Sequence, residues 1–299
     1  MNYRDSSRTG LVVTSLLLAS TAFAGISGVR ADEGEVSEAP KPAVKMLANV
    51  TKSVWASGLK APHGLARDFA GNVYAAEFAG GQIAKLSRDG KIVARYGEGL
   101  KSPAWIARDG DRFLITERKG NRVLVLSPNG ALQALGQNIE EPLGVATTPQ
   151  GRAIVVSHTT SKIYDVQLTS GSQASWRNIY SPPTSTGKSY GMRCIAIDRD
   201  GSLLVTDETD GKLQLITPAG RAATIVSGLD DPTGVAISAR GEIYVAEEGA
   251  NRVSRVEADG SLSVVAEGLG QPRGLLFLDA RTLLVADRQG GQIWRIALP

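Results

Sequence analysis

Short apolar runs alternate with clusters of Gly, Asp, Asn, Ser and Pro from Leu59 to the end of the chain, and they return in register about every forty residues. Glu77, Glu117, Ser157, Asp207, Glu247 and Asp287 each close the second apolar run of one copy. Four residues later stands a small or turn-prone residue: Gly81, Asn121, Ser161, Gly211, Asn251, Gly291. A long polar residue comes next (Gln82, Arg122, Lys162, Lys212, Arg252, Gln292), then an aliphatic one (Ile83, Val123, Ile163, Leu213, Val253, Ile293). Six copies at this period mark a solenoid, a propeller or an array.

The fifth copy shows what one unit contains. Pro232-Thr233-Gly234 opens it, Val235-Ala236-Ile237 is a short run, and Ala239-Arg240-Gly241 turns into Ile243-Tyr244-Val245-Ala246. Arg252-Val253-Ser254-Arg255-Val256 alternates as a half-buried strand does. Asp259-Gly260 is a hairpin signal, and Leu262-Ser263-Val264-Val265 closes the unit. Four short strands, tight turns and no helical period describe one antiparallel propeller blade. The openings at Pro62, Pro103, Pro142, Met192, Pro232 and Pro272 are spaced by 41, 39, 50, 40 and 40 residues. The sixth copy stops after Ile293-Trp294-Arg295-Ile296, one strand short, and residues 46–56 alternate with no other role. The expected fold is all-β: a six-bladed propeller, four antiparallel strands per blade, its sixth blade closed by the N-terminal strand so that no sheet edge is left there. The domain then spans 46–299.

Composition narrows the picture. Hydrophobic residues make up 42% but aromatics only 5%, so the core is aliphatic. Formal net charge is +3; Arg4, Arg8, Arg30 and Asp5 precede Asp32, and 30 basic and 29 acidic residues remain without them. Near-neutrality gives no reason to expect nucleic acid or a membrane surface as partner. Residues 1–31 read as an export signal, with a basic start, an apolar run from Leu11 to Ala24, and small-residue cleavage sites at Ala22-Phe23-Ala24 or Val29-Arg30-Ala31. The expectation is a periplasmic or secreted protein without a membrane span once the signal is removed. Residues 32–45, with Glu33, Glu35, Glu38, Pro40 and Pro42, read as a solvated linker. Cys194 is alone, so no intrachain disulfide forms.

Blade openings and second-strand ends converge on one mouth of the channel. The carboxylates Glu77, Glu117, Asp207, Glu247 and Asp287 have the oxygen chemistry of a cation site, yet a feature repeated in nearly every blade is read here as architecture. Function is sought where the copies disagree. His63 stands before Gly64, Arg193 and Arg273 take the same position on the fourth and sixth blades, and Trp105 and Cys194 replace the opening glycine on the second and fourth. His158 follows Ser157 on the blade that lacks the carboxylate. His63, Trp105, Arg193 and Arg273 are the candidate ligand-binding residues, because paired guanidiniums suit a carboxylate or phosphate. Trp105 as core filling and Cys194 as a small buried side chain are the plainer alternatives. The longer third-to-fourth blade spacing places Tyr180 to Tyr190 in a loop on the same mouth, with Tyr190 a contact candidate.

The chain resembles the NHL-repeat family of six-bladed propellers through Pro232-Thr233-Gly234-Val235-Ala236, Ile243-Tyr244-Val245-Ala246-Glu247 and Asn251-Arg252-Val253. That family includes binding modules and enzymes. Gluconolactonase-type relatives hold a divalent metal with a Glu at an early opening and Asn and Asp at later ones; His63, Arg193 and Thr233 stand at the matching positions here. Pro62-His63-Gly64-Leu65 resembles openings of the streptogramin-lyase type, whose members use His and Glu. The expected function is binding of a small anionic ligand or a partner's peptide at the channel mouth. The alternative is a metal-dependent hydrolase (lactonase or esterase) or lyase, with His63, His158 and Glu77 as candidate ligands or catalytic groups for zinc, calcium or magnesium. The residues by themselves establish no cofactor and no oligomeric state.

Overall fold

The computed structural model describes residues 44–135, 139–148, 150–168, 174–182 and 191–299. The alternating runs become strands and the Gly, Asp and Asn clusters become hairpin turns, so six four-stranded antiparallel sheets follow one another along the chain. The innermost strands are Pro62–Arg67, Pro103–Asp109, Pro142–Thr147, Met192–Ile197, Pro232–Ile237 and Pro272–Asp279. Each touches the next, and the sixth touches the first, which closes the ring. This close approach needs glycine. A Cβ added at Gly234 would lie 2.0 Å from the Arg273 carbonyl oxygen, and one at Gly274 2.3 Å from that of His63.

Thr51–Ala56 pairs antiparallel with Gln292–Ala297, so the N-terminal strand supplies the missing outer strand of the sixth blade as the repeat requires. One feature was not expected. Val44–Met46 adds a fifth, parallel strand to the outer edge of blade 5, along Leu262–Val264. The chain passes that edge on its way to blade 6, so Val44 and Lys45, read from the sequence as linker, are strand. The other residues read as linker, and residues 1–31 read as an export signal, lie outside the described residues. The core is aliphatic and sits between blades, in clusters that join neighbours such as Val73, Leu86, Leu284 and Ile293 of blades 1 and 6. Among the described residues no helix is long and apolar enough to cross a membrane.

The carboxylates that end the second strands are architecture. Glu77, fully buried, accepts from the Lys60 N–H at 2.9 Å and from Arg95 Nε at 2.7 Å. Glu247 takes the Asp230 N–H at 3.1 Å and both Nε and a terminal nitrogen of Arg252 at 2.7 and 2.9 Å. Asp287 accepts from Gln271 and Gly290 N–H and from Gln292. Each one ties a turn to the strand behind it, which satisfies donors that would otherwise be buried unpaired.

Candidate functional site

The mouth is built by one hydrogen bond repeated six times. The residue just after each second strand donates its N–H to the carbonyl of the residue just before the inner strand: Phe78 to Ala61, Arg118 to Ser102, His158 to Glu141, Glu208 to Gly191, Glu248 to Asp231 and Arg288 to Gln271, all at 3.0–3.1 Å. Four of the accepting residues (Ala61, Ser102, Glu141 and Asp231) have φ between 41° and 59° and precede a proline. A non-glycine residue is strained there. The bond turns the side chains of both loops toward the axis, beside the second residue of each inner strand.

Around most of the circle those side chains form a chain of ion pairs. Arg118 meets Glu141 at 2.8 Å, and Glu141 lies 3.6 Å from His158 Nδ1. His158 Nε2 is 2.8 Å from Glu208, which also pairs with Arg193. Arg193 lies 3.7 Å from Asp231 and 3.9 Å from Glu248. Arg273 pairs with the same Glu248 at 2.5 Å, and Arg288 reaches it at 3.5 Å. Blades 2 to 6 are thereby joined, with arginines and carboxylates in equal number.

Blade 1 breaks the chain. His63 is 4% exposed and stacks on Phe78, ring centroids 4.2 Å apart and nearly parallel. Neither of its ring nitrogens has a hydrogen-bond partner. Burial first, then the Arg273, Arg288, Arg193 and Arg118 guanidiniums, hold its pKa well below the usual 6.5. Burial foremost, then Arg118 and Arg193, brings His158 down to about 4, and burial foremost, then Arg193 and Arg288, brings Arg273 to about 10. The Nε atoms of Arg193 and Arg273 are buried without acceptors as well. Among the described residues, His63 is the one side chain of the mouth with no hydrogen-bond partner at any of its polar atoms; Arg193, Arg273, Glu208 and Glu248 each keep one unbonded atom but make ion pairs. Phe78 also lines a cavity of about 610 Å³ between blades 1 and 2, bordered by Lys101, Lys119 and Arg288. Lys101 and Lys119 make no ion pair among the described residues.

His63, His158, Arg193 and Arg273 thus share one mouth, whereas the other sequence candidates do not join them. Glu77 faces the turn at Lys60, one residue out of register with the mouth, because successive strand residues point to opposite faces. Trp105 is 7% exposed and packs with Val145, Val235 and Cys194 in the core, so the plainer reading of the indole applies. Cys194 is buried, and burial pushes its thiol up to about 12, which suits packing and not nucleophilic attack. Tyr190 lies outside the described residues. The set His63, His158 and Glu77 does not assemble. Among the described residues no three of His, Cys, Asp and Glu converge as metal ligands, and the guanidiniums around His63 repel a cation. His63, His158 and Glu77 therefore form no ligand set for a divalent metal.

Reading the sequence for disagreement between copies missed Phe78, Arg118, Glu208, Glu248 and Arg288. The signal was one position further on: after the repeated carboxylate the copies carry Phe, Arg, His, Glu, Glu and Arg in turn. Arg193 and Arg273 pair with Glu208 and Glu248, each one position beyond a repeated carboxylate.

No protein-family model matches the chain, and no curated protein sequence does. Solved structures do. A streptogramin B lyase superposes with a TM-score of 0.64 at 16% identity, over 84% of this chain and 98% of the other. An auxiliary nutrient-binding protein from Bacteroides thetaiotaomicron gives 0.68 at 11% identity, over 83% and 76%. Regucalcin, a calcium-binding protein from Agrobacterium tumefaciens, gives 0.66 at 16% identity, over 86% and 95%. At such identities the likeness is one of fold: the chain is a six-bladed β-propeller of the architecture that these three proteins share.

Proposed function

We propose that the protein is a binding propeller that holds a small anionic ligand at the blade 1 sector of this mouth. The observation that carries the reading is His63, a buried imidazole with both nitrogens unpaired, next to the blade carrying the unpaired Arg273 Nε and stacked on Phe78, which lines a cation-bordered cavity. Buried polar groups without partners are rare and costly, and here His63 of blade 1, Arg273 of the adjacent blade 6 and Arg193 across the ring on blade 4 leave nitrogens unused around one mouth. An acceptor-rich ligand satisfies them, with Lys101, Lys119 and Arg288 supplying charge and Phe78 an apolar wall. We assign the repeat to the NHL type on its Pro-Thr-Gly and Asn-Arg-Val signatures, and the setting to the periplasm or exterior on residues 1–31.

A thermal-shift screen of small carboxylates and phosphates, followed by calorimetry, tests the assignment. His63→Phe and Lys101→Ala/Lys119→Ala are each expected to weaken the best ligand by about 10- to 100-fold, the worth of one or two hydrogen bonds to a charged group. Unchanged affinity in both variants moves the ligand elsewhere.

The hydrolase or lyase reading has one observation in its favour, the His158–Glu208 contact at 2.8 Å, in which a carboxylate orients an imidazole. A base with a pKa of about 4 is poorly matched to proton transfer near neutral pH, and binding is preferred for that reason. Stoichiometric zinc, calcium or magnesium in the purified protein, or turnover of lactones or esters that His158→Ala abolishes, would reverse the preference.

A further inference from the structure

We propose that the opposite mouth of the channel holds a second, separate site, for a small organic anion with a flat apolar body. The inner strands leave the ring on that side, and three positions after the opening glycine the copies carry Arg67, Arg108, Thr147, Ile197, Ile237 and Phe277. Blades 4 to 6 place an apolar residue there, while blades 1 and 2 place arginine. The turn after the third strand of blade 1 adds Arg88, and the three guanidiniums line one cavity of about 810 Å³ with Leu276 and Leu278. That volume suits a small molecule.

The three arginines are held but not neutralised. Arg67 donates to the Leu278 carbonyl and Arg88 to that of Ala70, bonds that orient each guanidinium and leave its charge intact. The guanidinium of Arg108 lies 3.9 Å from the centroid of the Phe69 ring. None of the three forms an ion pair with a carboxylate among the described residues. Asp68, which also lines the cavity, is engaged by the Asn72 N–H and side-chain amide at 2.8 Å and lies 3.8 Å from Lys85. At the other mouth, by contrast, Arg118, Arg193, Arg273 and Arg288 each face a carboxylate. Three like charges facing one hollow repel, and an anion that takes donors from more than one of them relieves the repulsion.

Phe69 specifies the rest of the ligand. It is 77% exposed, the most exposed large apolar side chain among the described residues. Its counterparts in other blades include Arg199 and Ala239, so the turn itself does not require a phenyl group. One ring face is occupied by Arg108 and the remainder is open, which offers a flat surface next to cations. Apolar contact and anion recognition therefore sit side by side.

Phenyl phosphate is the probe, titrated calorimetrically into the full chain at low salt. It is expected to bind saturably, at least about tenfold more tightly than inorganic phosphate or benzyl alcohol, since each of those keeps only half of the contacts. Arg67→Ala/Arg108→Ala should weaken it by about tenfold or more, and Phe69→Ala by about threefold to tenfold. All three side chains are exposed, so these variants are expected to fold. The absence of saturable binding, equal affinity in the Arg67→Ala/Arg108→Ala variant, or inorganic phosphate binding as tightly as phenyl phosphate would each overturn the proposal.

Discussion

Blade 1 and blade 5 start from the same repeat and end in opposite states at the mouth. In blade 5, Glu248 faces Arg273, Arg193 and Arg288, and Glu247 behind it is saturated by Arg252, Ser254 and the Asp230 N–H. In blade 1, Glu77 is equally saturated, but the mouth position holds Phe78 and the strand beside it holds an imidazole with nothing to bond. The carboxylates Glu77 and Glu247 that fold these blades are satisfied within the ring, whereas His63 has no partner at either nitrogen, and its partner is expected to come from outside.

The largest expected effect tests the saturated half. Glu247→Ala leaves Arg252 and the Asp230 N–H without their acceptor, and loss of one partner of a buried pair costs about 3–5 kcal/mol. Its melting temperature should fall by about 6–20 °C at about 2–4 °C per kcal/mol. A change below about 2 °C would mean that the repeated carboxylates are not what holds the blades, and the comparison would lose its reference.

His63→Phe tests the unsatisfied half and should act in the opposite direction. Removing an unpaired buried imidazole while keeping a ring against Phe78 should raise stability by about 1 kcal/mol at pH 6, while ligand affinity falls by the same about 10- to 100-fold. Lower stability would mark His63 as a structural residue. The pH dependence has a definite sign. The folded pKa values of His63 and His158 lie below the unfolded 6.5, so the unfolded chain binds protons that the folded chain refuses. Stability present above pH 6.5 is lost as the pH falls toward the folded values, about 4 for His158. Chemical denaturation from pH 7 to pH 4.5 should show a shallower decline in His63→Phe than in the wild type.

The smallest effect concerns the strained loop that places Phe78. Ala61 sits at φ 51° before a proline, and Ala61→Gly should gain up to about 1 kcal/mol by relieving the left-handed conformation. A loss measured by denaturant titration would show that the strain is offset by contacts of the methyl group.

Much of this was legible in the chain. Strand number, blade register and the closing role of residues 46–56 follow from a repeat whose copies agree, and the structural part of the carboxylate ring follows from the same agreement. The site was legible only in part. His63, His158, Arg193 and Arg273 were found because their blades differ there, but Glu77 was drawn in and Glu208 and Glu248 were passed over by a single residue. A strand alternates faces at every step, so an error of one position exchanges the mouth for the turn behind it.

What the sequence determined alone is the ring: its local turn chemistry and its alternation of apolar and polar positions repeat six times, and such short-range preferences need no distant partner to be read. The pairing of charges was decided only when the ring closed. Arg273 meets Glu248 and His63 stands beside Arg273 because closure brings blade 6 between blades 5 and 1, and Coulomb and hydrogen-bond energies depend on those separations in space, which no spacing along the chain encodes.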